Sequence, residues 1–139
     1  MRNAALRVAG AGFLLAMLGS VSCGPRDDGE WLRDVEEMAL VPVGATFVSD
    51  QVNAGRFGGD ASYGRNYETA QSRATVVSFY DDALTDRSWA VLIDELENTS
   101  PPKKAWVKGD LVFVLSLSYV DQTTRPNQFS IKVFKREDI

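Results

Sequence analysis

The residues with chemical potential are few, and their spacing decides what they can do. The 139-residue chain has no His and a single Cys. Without His it lacks the commonest general base and metal ligand, which excludes Ser-His-Asp and Cys-His catalysis and His-based zinc sites. One Cys cannot close an internal disulfide. The segment Asn53 to Arg65 (NAGRFGGDASYGR) holds four Gly, with Arg56, Phe57 and Tyr63 around them. In a ligand loop, Phe57 and Tyr63 would stack on a sugar or peptide and Arg56 would pair with a carboxylate. The spacing is not GxGxxG, and no Lys-Ser/Thr follows to cradle a phosphate. A plain hairpin connection is the competing account, although loops carry function more often than cores do.

Carboxylates occur as Asp81-Asp82 and as Asp94, Glu95 and Glu97. Neighbours on a helix point about 100° apart, so Asp81 and Asp82 cannot share a proton as an acid/base pair. No two carboxylates are identifiable as facing each other across a cleft, and no DxDxDG calcium loop is present. A solvated acidic face accounts for them, and no metal or cofactor is expected. Among the aromatics, Trp89 is expected in the core. Trp106 shares its strand face with Lys104 and Lys108, and an exposed Trp between cations is a plausible partner contact. Arg56, Phe57, Tyr63 and Trp106 are therefore the candidate ligand or partner contacts. Asn98-Thr99-Ser100 matches the N-glycosylation triplet, which has meaning only in eukaryotic secretion.

Positioning these groups falls to a short list of elements. Ser72 to Arg87 places Val76, Phe79, Tyr80, Ala83 and Leu84 on one stripe, the signature of an amphipathic α-helix. Ser72 is its N-cap candidate, and Arg87 complements the dipole at the other end. Trp31, Leu32, Val35 and Met38 recur at near-helical spacing and predict a two-turn helix ending before Pro42. Strands are predicted over Thr46 to Val52, Arg65 to Gln71, Trp89 to Leu96, Ala105 to Lys108, Leu111 to Val120 and Phe129 to Val133. Gly109-Asp110 is a two-residue hairpin signal. Together these predict a two-layer α+β domain: a mostly antiparallel sheet of about five or six strands with one principal helix on one face.

The first 23 residues read differently. Arg2 and Arg7 precede an uncharged run, VAGAGFLLAMLGSVS, that stops just before Cys23. This is the secretory signal pattern, and its strongly apolar part, Phe13 to Leu18, is too short to span a bilayer. The lone Cys falls where that run gives way to GPRDDGE. The arrangement resembles a bacterial lipoprotein signal, with Val21 and Ser22 fitting the small residues before the Cys. Ser20 departs from the aliphatic residue usual at that place. The resemblance implies a signal peptide over 1–22, a lipidated tether over 23–30 and a folded domain over 31–139. It also implies that the Cys23 thiol carries a diacylglycerol, on the outer side of a membrane. Ser20-Val21-Ser22 equally satisfies ordinary secretory cleavage, which would leave Cys23 as a free thiol. Loss of Arg2 and Arg7 leaves 13 basic against 19 acidic residues, a net charge of −6. A chain of that sign is repelled by phosphate backbones, so no nucleic acid partner is expected.

A second resemblance lies in FYDDALTDRSW. Phe79, Tyr80, Leu84 and Trp89 match a helix–strand pattern found in small bacterial lipoproteins of uncharacterised function, and Ser88 stands where that pattern usually has Gly. It covers about a dozen packing residues and implies a fold and an envelope location, but no chemistry. The resulting expectation is a membrane-anchored, non-enzymatic binding or accessory module of the cell envelope. Its partner would be an envelope protein or ligand. The rivals are a hydrolase using carboxylates or Ser, and a structural subunit that pairs through a sheet edge.

Overall fold

Helix α1 spans Arg73–Asp86, and both of its ends are set by the residues that flank it. The Ser72 hydroxyl accepts the Thr75 amide at 3.2 Å, satisfying one of the orphan donors of the first turn. Val76, Tyr80 and Leu84 form the buried stripe, with Phe79 and Ala83 half-buried beside them. At the other end the Ser88 amide donates to the Thr85 carbonyl and the Trp89 amide to the Leu84 carbonyl, both at 3.0 Å. These two bonds make a Schellman ending, which requires a left-handed residue between them. Ser88 fills that place at φ 67, and among the described residues it alone is a non-glycine with positive φ. The pattern's usual Gly is thereby explained: a Cβ is strained there.

This architecture comes from a computed structural model that describes residues 28–55, 60–97, 101–118 and 126–136. The strands are β1 (Thr46–Asn53), β2 (Ser62–Thr69), β3 (Ala90–Glu95), β4 (Lys103–Lys108), β5 (Leu111–Leu117) and β6 (Asn127–Lys135). They form one six-stranded sheet in the order β1-β2-β6-β5-β4-β3. Every neighbouring pair is antiparallel. The predicted α+β class holds: among the described residues a single α-helix packs on one face of the sheet. Gly109 and Asp110 make the predicted two-residue turn, with Gly109 at φ 60.

Alternation along the strands selects the covered face. Phe113, Leu115 and Leu117 of β5 and Phe129, Ile131 and Val133 of β6 all point into the core. Phe113 sits at its centre, with the rings of Tyr80, Trp89 and Trp106 at 5.7, 6.1 and 6.3 Å. Burial pushes the Tyr80 phenol far above its usual range, and its hydroxyl donates to the Leu40 carbonyl at 2.9 Å.

Some boundaries differ from expectation. Residues 31–38 form two short 3-10 turns, Glu30–Asp34 and Glu36–Ala39, because Val35 between them is extended at ψ 119. Leu32 and Met38 are buried all the same, and Glu37 reaches inward to accept the Trp89 indole N–H at 3.0 Å. The first hairpin closes on a shorter connection than Asn53 to Gly64, since β2 begins at Ser62, where it already pairs with β6. Strand β3 carries a register shift between Val91 and Ile93, which leaves Val91 half exposed. β5 ends at Leu117; Tyr119 and Val120 lie outside the described residues, as does the triplet Asn98-Thr99-Ser100. No helix among the described residues is long and apolar enough to cross a membrane.

Candidate functional site

Of the residues singled out from sequence, Cys23, Arg56 and Phe57 lie outside the described residues, as do the signal segment 1–22 and most of the tether. Tyr63 and Trp106 are described, and both differ from expectation. Trp106 is fully buried, not exposed. Its strand face is the one beneath α1, where it pairs laterally with Phe113 and donates its indole N–H to Asp81 at 3.2 Å. The cation beside it is real but internal: Lys104 lies 5.5 Å from the Trp106 ring. Its ammonium pairs with Asp81 at 3.2 Å and Asp94 at 3.5 Å. Tyr63 is 1% exposed, and its hydroxyl donates to Asp50 at 2.9 Å, so its ring offers no stacking surface. Its position inside β2, paired with Val133 of β6, is the reason.

The carboxylates divide as helix geometry requires. Asp81 turns toward the sheet and Asp82 toward water. Asp94 and Glu95 pair with Lys104 and Lys103 across β3 and β4. Among the described residues no group of three or more Asp, Glu, His or Cys is placed to hold a metal ion.

A different arrangement occupies the face of the sheet opposite α1. Register places Ser49, Asn66, Ser130, Ser116 and Lys103 side by side on consecutive strands β1, β2, β6, β5 and β4. Neighbouring strands lie about 4.8 Å apart, so four short hydroxyl and amide groups cross the sheet in a row that ends at Lys103, whose ammonium pairs with Glu95. Asn66 donates to the Ser49 hydroxyl at 3.0 Å, which fixes the amide. Gln128, one row further along, reaches toward Glu68 at 3.5 Å. Above this part of the sheet is a solvent-open groove of about 470 Å³, bounded at one end by Pro101 and Ser118.

The same face changes character along the strands. Nearer the Gly109 turn, the laterally paired residues on β6, β5, β4 and β3 are Phe134, Val112, Val107 and Ala90, and the row continues through Ser62 and Asn53 on β2 and β1. The groove is therefore one polar part of a mixed face, which also carries Lys132, Gln51, Ser62 and Asn53. It can offer hydroxyl and amide hydrogen bonds to an uncharged polar ligand lying across the strands. Its one lining carboxylate, Glu68, faces Gln128 and lies one row from the Ser hydroxyls.

Sequence reasoning overlooked this row. Ser116, Ser118 and Ser130 were each visible as the polar alternates of their strands. Their alignment depends on β6 inserting between β2 and β5, which no local pattern signals. Comparisons with family models, with curated proteins and with solved structures find no match to this chain.

Proposed function

We propose that the protein is a non-enzymatic binding module of the cell envelope, anchored through a lipid on Cys23. It takes an uncharged polar ligand, a glycan or an extended peptide, on the hydroxyl and amide row. The observation that carries the ligand half of this reading is the register that aligns Ser49, Asn66, Ser130 and Ser116 beneath an open groove. Evenly spaced hydroxyls and amides match the repeating acceptors and donors of such ligands. Water-bridged contacts suit a shallow site of this kind.

The placement of the chain supports the anchoring half. Gly29 lies beside the Asn53 carbonyl and Ala61 at the β1–β2 hairpin end of the sheet. The groove is toward the other end, where β5 finishes at Leu117 and β6 begins at Asn127. The six peptide units from Cys23 to Gly29 reach at most about 22 Å. A lipid on Cys23 would thus hold the hairpin end near the membrane and turn the groove away from it. Both edge strands carry register shifts, between Phe47 and Ser49 and between Val91 and Ile93. Such irregularities blunt an edge, which favours a face-binding module over one that pairs through its edges.

Two measurements test this. Mass spectrometry of the mature N-terminus, with labelled palmitate fed to the cells, is expected to show acylated Cys23; an unmodified thiol ends the anchoring half. Titration with soluble envelope glycan fragments, followed by amide chemical shifts, is expected to perturb Ser49, Asn66, Ser116 and Ser130 together. Ser130→Leu should abolish that response while leaving the fold intact. Shifts that avoid the row would remove the ligand half.

A further inference from the structure

On the covered side of the sheet, Arg65 of β2 occupies a setting with unusual charge balance. Its Nε donates to the Tyr63 hydroxyl at 2.8 Å and its Nη1 to the Met38 carbonyl at 3.2 Å, with the Tyr67 hydroxyl at 3.5 Å. All three acceptors are uncharged. The nearby carboxylates are engaged elsewhere: Asp50 accepts from Tyr63 and pairs with Arg33, and Glu30 pairs with Arg33 at 2.9 Å. No carboxylate among the described residues lies within ion-pair distance of Arg65. Hydrogen bonds to the two phenols raise its pKa further and keep it charged. A partly buried guanidinium is thus held in a fixed orientation with no carboxylate of the described residues in direct contact, the nearest link to one being through Tyr63 to Asp50.

That guanidinium forms one wall of a solvent-open cavity of about 310 Å³, whose other walls are Val41, Ala45, Phe47 and Tyr67. Phe47 is 52% exposed; its ring centroid lies 6.0 Å from that of Tyr67 in an edge-to-face pair, and the Arg65 guanidinium carbon lies 6.0 Å over it. Apolar walls around one oriented cation specify a ligand with a single negative charge and an apolar body. The bonds to Tyr63, Met38 and Tyr67 leave the Arg65 Nη2 N–H groups to donate to a carboxylate, and the reduced local dielectric strengthens the pairing.

We propose that this cavity binds the carboxylate of a small apolar acid, with Arg65 taking the carboxylate and Phe47 and Val41 the apolar group. The site is on the opposite face of the sheet from the hydroxyl row and stands whether or not Cys23 is lipidated. A free acid and the C-terminus of a peptide present the same recognition chemistry.

The test titrates the full chain with phenylacetate, with 2-phenylethanol as its uncharged counterpart and with N-acetyl-glycyl-phenylalanine as a chain terminus. Phenylacetate is expected to bind at least tenfold more tightly than the alcohol. Arg65→Gln should erase that preference, and Phe47→Ala should weaken acid and alcohol alike. Val41→Asp, at the exposed rim, supplies a carboxylate to Arg65 and should also erase the preference without disturbing the core. It carries the test if Arg65→Gln fails to fold. Tighter binding of the dipeptide than of phenylacetate identifies a chain terminus as the source; the reverse identifies a free acid. Equal binding of acid and alcohol, a preference that survives Val41→Asp, or no saturable binding of the acid overturns the proposal.

Discussion

Lys104 and Arg65 both project from the sheet on its covered side, and they are handled in opposite ways. Lys104 lies over Trp106 and is neutralised by Asp81 from α1 and Asp94 from β3. Arg65 is held by two phenols and a carbonyl, with no carboxylate partner among the described residues. The first cation is part of the architecture, a clasp between helix and sheet. The second keeps its charge available beside an open cavity. Lys104 is buried and Arg65 half-buried, and the charge of their partners is what separates their roles.

Disrupting the closed side should have the largest effect. Trp106→Ala removes a fully buried indole and the hydrogen bond to Asp81, and should cost about 3–5 kcal/mol in chemical denaturation. A loss under about 1 kcal/mol would mean Trp106 is a surface residue after all. Asp81→Asn keeps the shape but halves the counter-charge of a buried ammonium. Since Asp81 is itself partly exposed, about 1–2 kcal/mol is expected, with an increase in the salt dependence of what remains. The matching change on the open side, Tyr63→Phe, removes an acceptor from Arg65 and a donor from Asp50. It should cost about 1 kcal/mol and weaken acid binding at Arg65, whereas Asp81→Asn should leave acid binding untouched.

Tyr80 lies between the two regions and supplies a pH test. Its phenol pKa is raised in the fold, so its contribution is complete below about pH 10, the unfolded value, and is lost as pH rises above it. Tyr80→Phe should cost about 1 kcal/mol at neutral pH through the bond to Leu40, and should flatten the alkaline decline in thermal midpoint. An unchanged alkaline slope would assign that decline to other groups. The smallest effect belongs to Ser88→Gly. Relief of the left-handed strain should stabilise the protein by about 0.5–1 kcal/mol without altering either cation.

How far the chain could be read in advance depends on the range of the interaction involved. Helix α1, its Ser72 cap, the Gly109-Asp110 turn and the inward faces of β5 and β6 arise from contacts between residues near in sequence. Their periodicities of 3.6 and 2 are therefore written in the residue order. The lone Cys23 after an apolar run is likewise a purely sequential signal, and it grounds the anchoring proposal. The unusual Ser88 also stood out from sequence, though its φ supplied the reason.

What only the tertiary structure decided is which face each strand shares with which neighbour. Trp106 between two lysines looks like a surface contact until β4 is laid beside β5 and under α1. The row from Ser49 to Ser116 exists because the last strand, β6, inserts between β2 and β5. Arg65 acquires its three acceptors from the chain at Met38 and from both alternates of its own strand, while the carboxylates around it are claimed by Arg33 and Tyr63. Residue order fixes which groups are present and which way each alternates. Strand order, an outcome of burying both halves of the core at once, fixes which charges are cancelled and which are left to act.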